Sequence, residues 1–257
     1  MTDDKKTIKG SINNNSKIRP TRSRNIFTDI KYFLINKAPT PTLVHFDNEI
    51  EKQSYYESVL QRVGVDVDDF KVFNIHKIGV NAPASYLFEE VLKWDGDSAC
   101  WPNHIAKVNL LDNTLEKIQI NLFGFDNLSQ DTKKRKIGSR LFHLFDLNSI
   151  KIQKTPTQHD SDNARYLLYE CNGGYPIGVF CMYVRSSIEA LGEKEASQLF
   201  IMVGFDFFGK QWLSKVKFIN KLWEFFHNRV TSAVAWRFKQ LCEWRLEKLI
   251  ENYPSLK

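Results

Sequence analysis

The spacing of apolar and polar positions divides the chain into regions of different grammar. Residues 1–24 are rich in Lys, Asn, Ser and Arg, with Ile8, Ile12 and Ile18 too sparse to order them, and read as disordered. Residues 26–46 are mixed, and Ala38, Pro39, Thr40, Pro41 and Thr42 form an extended linker. Tyr56, Val59, Leu60 and Val63 then fall at i, i+3, i+4 and i+7, which predicts a helix over 47–63 stopped by Gly64. Residues 70–80 alternate as a strand, with Val72, His76, Ile78 and Val80 in one phase. Asn81, Ala82 and Pro83 turn the chain into a helix striped by Tyr86, Leu87, Val91 and Trp94, broken at Asp95, Gly96 and Asp97.

Strand-like alternation follows over 104–111, 115–123, 141–152, 164–171, 178–188 and 197–208. In the second of these, Ile118, Ile120 and Leu122 alternate with Lys117, Gln119 and Asn121, the signature of a sheet wet on one face. Turns are expected at Asp112–Thr114, at Asn172–Gly174 and around Gly192 and Glu193. The chain ends in a helical pattern, where Trp212, Val216, Ile219, Trp223, Phe226, Val230, Val234, Leu241 and Leu249 keep a 3.6-residue period. A helix of that extent is about 55–60 Å long, and its first half is expected to pack on the sheet. The organisation read from this pattern is a disordered basic tail (1–25), an extension with one short helix (26–65) and a folded body (66–257).

Charge sharpens the division. Of the 36 cations and 30 anions, residues 1–24 hold seven cations and two anions, so a net +5 of the total +6 lies in the tail. The body is nearly neutral, which argues against a nucleic-acid clamp and makes nucleic acid an unlikely partner. A second basic run, Lys133, Lys134, Arg135 and Lys136, reads first as a solvated loop. With the tail it offers an anionic membrane surface about 1 kcal/mol per cation, or RNA a weak, salt-sensitive contact. Apolar residues at 42% and 19 Phe are enough to bury a real core.

Other classes have little support. The longest apolar run, 199–208, is about half of what a bilayer span needs and contains Gly204 and Asp206. No apolar stretch follows the first residues as a secretory signal would require; the acid-free stretch 5–28 suits a transit peptide, but Asp3 and Asp4 count against one. Cys100, Cys171, Cys181 and Cys242 form no C-x-x-C pair and read as buried free thiols in a reducing, cytoplasmic setting. Cys100 and His104 lack companions for a zinc set, and neither metal nor cofactor is expected. G-x-S-x-G, Walker A, G-x-G-x-x-G and H-E-x-x-H motifs do not occur.

Ile78, Gly79, Val80, Asn81, Ala82, Pro83 and Ala84, then Leu87, Phe88, Val91 and Leu92, then Trp101 and Pro102, resemble the opening of the START-like superfamily. That superfamily, also called SRPBCC, includes polyketide cyclases, lipid-transfer domains and coenzyme-Q-binding proteins. The element order over about 69–250 is similar too. The resemblance implies an α+β helix-grip fold: a curved antiparallel sheet gripping the final helix, with an elongated cavity between them.

Strand parity then nominates the cavity wall. The more apolar phase should face the helix, which selects Phe180, Met182, Val203 and Phe205, with Trp223, Phe226 and Val230 opposite them. His227, one residue from the stripe, is the candidate for a polar contact, with Asp206, Tyr169 and Tyr183 as possible proton partners. His76 and His143 read as ordinary strand residues. Such a wall suits an apolar small molecule or lipid, bound or transported without covalent chemistry. Two alternatives stand beside it. One is a cyclase or aromatase using His227 or Tyr183 for proton transfer; the other is an interaction module whose tail and basic loop meet a membrane or RNA.

Overall fold

The computed structural model describes residues 38–65, 70, 72–93, 100–101, 106–111, 114–122, 143–153, 165–172, 178–205 and 217–253. The tail, the run Lys133–Lys136, Trp94, Asp206 and Trp212 lie outside these residues. The elements in order are α1 (Glu49–Val63), β1 (Val72–Val80), α2 (Ala84–Val91), β2 (Cys100–Trp101), β3 (Ala106–Leu110), β4 (Lys117–Leu122), β5 (His143–Gln153), β6 (Arg165–Asn172), β7 (Val179–Ser186), β8 (Ser197–Phe205) and α3 (Lys217–Asn252). Glu189–Leu191 adds one turn of 3₁₀ helix between β7 and β8.

Local chemistry accounts for the limits of α1. The Asn48 side chain accepts from the Glu51 amide at 2.8 Å, and Glu51 reaches back to the Asp47 amide at 3.0 Å. Together they satisfy orphan donors at the helix start. Gly64 ends the helix in the left-handed region (φ 72°), its amide bonded to the Leu60 carbonyl. Pro83 leads into α2, whose Ala84, Leu87, Phe88 and Val91 are buried on one face.

The strands form one antiparallel sheet in the order β1-β8-β7-β6-β5-β4-β3-β2. Consecutive strands neighbour one another except that β1 lies beside β8, paired from Val72 with Phe205 to Val80 with Ser197. Register shifts at Ile120/Asn121 and Ser149/Lys151 mark bulges, which bend a sheet and raise its twist. An antiparallel sheet with α3 packed on its inner face is the α+β helix-grip arrangement.

Side-chain alternation sends two apolar sets to opposite faces. On the inner face Ile78, Val80, Phe180, Met182, Val184, Leu199, Ile201 and Val203 share a core with α2 and with Val234, Ala235, Phe238 and Cys242 of α3. On the outer face Phe73, Ile75, Tyr166, Leu168, Cys181, Tyr183, Phe200 and Met202 pack under Tyr56, Val59, Leu60 and Val63 of α1. One-sided wetting therefore describes only the first part of β4, where Lys117 is exposed and Gln119 half-buried while Asn121 is buried, and not β7, which is buried on both faces. Helices on both sides make three layers.

α3 spans 36 residues, about 54 Å, and its course is set by polar anchors along β1 and α2. Lys239 donates to the Gly79 carbonyl at 2.6 Å, the Asn81 amide donates to Glu243 at 2.9 Å, and Arg245 pairs with the buried Glu90 of α2. The strap 42–44 pairs with the middle of the β1 edge. The Val44 amide donates to the Ile75 carbonyl at 2.9 Å, and the Lys77 amide to the Thr42 carbonyl at 2.8 Å.

Candidate functional site

The inner-face positions nominated from parity come together, but inside a packed core. Phe180, Met182 and Val203 are 7%, 0% and 3% exposed and belong to the cluster closed by α2 and α3. Val230 is half-buried against the same cluster. Phe205 ends β8 and Trp223 lies in the first half of α3, and both side chains fall outside the described residues.

Phe226 does not face this wall. It is 41% exposed and meets Phe225 edge to face, with ring centroids 5.8 Å apart. The cause is the rotation of α3. Its buried side is His227, Thr231, Val234, Phe238 and Cys242, so the sheet edge receives a polar stretch and the aromatic pair turns outward. Leu222, at 44%, and Phe225 are exposed with it.

What α3 brings to β1 is a hydrogen-bonded cluster. His76 Nε2 lies 3.1 Å from Asn228 Oδ1, which also accepts from Asn74 Nδ2 at 2.9 Å. An amide oxygen only accepts, so Nε2 carries the His76 proton and Nδ1 is free to accept from Thr42 Oγ1 at 2.9 Å. The Thr42 and Ser232 hydroxyls are 3.0 Å apart. The strap, β1 and α3 thus meet at one neutral imidazole.

Both histidines here are buried, His76 at 1% and His227 at 8% exposure. Burial pushes His76 down to about 4, against an upward pull from its Asn228 hydrogen bond. Burial pushes His227 to about 4 as well, and neighbouring His76 adds to the fall. Both imidazoles are neutral at pH 7 and suited to exchanging hydrogen bonds rather than charge. Val72, His76, Ile78 and Val80 stand in one phase of the sequence; the missing signal is that Asn228, Thr231 and Ser232 share one side of the helix with His227.

His227 and Tyr183 do not converge. His76 and its neighbour His227 lie on the inner side, whereas Tyr183 is under α1 on the outer face, where its hydroxyl accepts from Arg62 at 3.2 Å. Tyr169 is on the inner face and donates to the Leu115 carbonyl at 2.9 Å. A proton-transfer pair of His227 with Tyr183 is thereby overturned.

Two hollows border the described residues. One, about 690 Å³, runs between the strap end, α1, the start of β1 and Glu224 of α3. The other, about 620 Å³, lies along residues 187–196. There Glu193 accepts from both Arg185 Nη atoms, from Lys77 and from the Ile188 amide. Burial raises the Glu193 carboxyl, but these donors outweigh it and hold it at about 2. Cys171, Cys181 and Cys242 are buried free thiols pushed upward by burial. Among the described residues no cluster of three His, Cys, Asp or Glu is placed to hold a metal, and no helix is long and apolar enough to cross a membrane.

No family model matches the chain, and no curated protein matches it. Solved structures do resemble it. A conserved protein from Geobacillus kaustophilus shares 11% identity, covering 66% of this chain and 95% of its own, with a TM-score of 0.38. A polyketide-cyclase-like protein from Corynebacterium glutamicum shares 10%, covering 70% and 94%, at 0.35. A norcoclaurine synthase point mutant from Thalictrum, in complex with a transition-state analogue, shares 10%, covering 66% and 93%, at 0.35.

Proposed function

We propose that the protein binds an apolar small molecule or lipid at the margin of the sheet–α3 core, along the first half of α3, without covalent chemistry. The observation that carries this reading is the stripe Leu222, Phe226, Val230, spaced i, i+4 and i+8 on α3. Val230 packs against the inner-face core, while Phe226 and Leu222, one and two turns earlier, emerge into solvent. An apolar strip continuous with a core but left uncovered loses about 25 cal/mol for each Å² it leaves in water. An apolar ligand laid along it would recover that energy. In this reading Phe180, Met182 and Val203 are the closed floor, and the ligand sits beyond them toward Phe226.

The test is extraction of gently purified protein followed by mass spectrometry, with a fluorescent fatty acid as titrant. A co-purifying apolar compound is expected, and Phe226→Asp should weaken probe binding by at least about tenfold, since a carboxylate resists burial against a lipid chain. Because Phe226 is exposed, the melting temperature should move little. Protein that yields no apolar compound, and whose probe binding Phe226→Asp leaves unchanged, would overturn the proposal.

A further inference from the structure

We infer that the groove between the strap end and α1 is a docking site for the chain's own basic tail, seated through residues 17–24. The inference stands apart from the apolar-ligand reading, since it uses a different hollow and different residues. The strap pairs with β1 only as far as Val44 and then peels away, so that residues 45–48 and the start of β1 stand apart. That opening is the groove of about 690 Å³.

Its walls have a definite character. Phe46, Tyr56, Phe70 and Phe73 supply an aromatic side, with Phe46 edge-on to Tyr56 at 5.6 Å and Tyr56 close to Phe73 at 5.8 Å. Among the described residues that line it, Asp47, Glu49 and Glu224 supply three carboxylates against the single ammonium of Lys52, which already pairs with Glu49 at 3.1 Å. Two negative charges are left over at a partly enclosed site. Burial, and after it the fields of Glu49 and Glu224, push the Tyr56 hydroxyl to about 12. Negative walls with aromatic faces favour a segment that alternates cations with aliphatic groups, because cations gain from both carboxylate and ring.

Residues 17–24 have that composition. They hold Lys17, Arg19, Arg22 and Arg24 with Ile18 and no acid. They also belong to the chain that enters the groove, whose residues 43–49 form one wall. The segment is joined in cis to that wall through the intervening chain, so it is held near the groove at a raised effective concentration. Two surplus charges at that concentration give a contact that forms at low salt and is screened at high salt.

Zero-length carbodiimide cross-linking of the full chain, read by peptide mass spectrometry, tests it. Within single molecules at low salt, Lys17 should link to Asp47, Glu49 or Glu224 in preference to the other exposed acids. The links should be lost in high salt, in Glu224→Lys, and in the doubly substituted Arg19→Glu/Arg22→Glu chain, whose changes leave the body untouched. Lys17 links scattered over unrelated acids, found only between molecules, or absent while other lysines react, would each overturn the docking. So would full transfer of the tail to anionic vesicles with an affinity that Glu224→Lys leaves unchanged.

Discussion

At the scale of single residues, the two buried histidines set the response to acid. His76 and His227 both have folded values near 4, below the ordinary histidine value of 6.5. The unfolded chain therefore takes up protons first as pH falls. Their contribution is complete above pH 6.5 and is lost as pH drops from about 6.5 towards 4. A depression of that size is worth up to about 3 kcal/mol per histidine, an order-of-magnitude figure. Glu193, held at about 2, loses its contribution only below about 4.5, so the two windows are separable. Urea unfolding at pH 7.5, 6 and 4.5 should show falling stability, and His227→Gln should reduce the slope by roughly half. An unchanged slope would mean that His227 is already solvated in the folded state.

The secondary elements show what the sequence could and could not disclose. The period of Tyr56, Val59, Leu60 and Val63 with Gly64 behind it located α1 within two residues, and strand parity put Phe180, Met182 and Val203 on one face. Those signals are local, and local physics suffices for them. The rotation of α3 was hidden because period alone cannot choose between two candidate sides. The aromatic side, Phe226, lost to the side of His227, Thr231 and Ser232 because anchors far away in sequence hold the helix along β1 and α2: Gly79, Asn81 and Glu90. The buried Asn121 was hidden too, since the bulge beside it breaks the two-residue alternation on which parity rests. α1 also supplies the outer layer, with Leu60 fully buried over the sheet. Leu60→Ala should therefore cost about 2–4 kcal/mol in chemical denaturation, the range for a core truncation rather than a surface helix. A loss below about 1 kcal/mol would show that α1 rests on the sheet without sealing it.

At the scale of the molecule, the strap and α1 tie the beginning of the described chain to its end. Thr42 bridges His76 of β1 and Ser232 of α3, separated from it by 34 and 190 residues, and the Trp236 indole donates to the Thr40 carbonyl at 3.0 Å. Losing the strap would bare the middle of the β1 edge and leave the buried His76 Nδ1 and Ser232 hydroxyl without their Thr42 partner. Losing α1 would expose Tyr183, Phe200 and Met202, residues of strands whose other faces carry the inner core. Neither piece can open cheaply, because buried polar groups left without partners cost about 1–3 kcal/mol each. Residues 26–65 read as an extension in the sequence, while 42–44 and α1 pack on the sheet; joint unfolding with the body is the expected outcome, a separate unit the other. Native-state hydrogen exchange can decide between the two. The amides of Val44 and Lys77, bonded across the strap, and those at the buried end of α1 should exchange only in the same global opening as the central amides of β7. Exchange of Val44 and α1 through a separate opening several kcal/mol below that of β7 would divide the molecule into a detachable cover and an independently stable sheet-and-helix body.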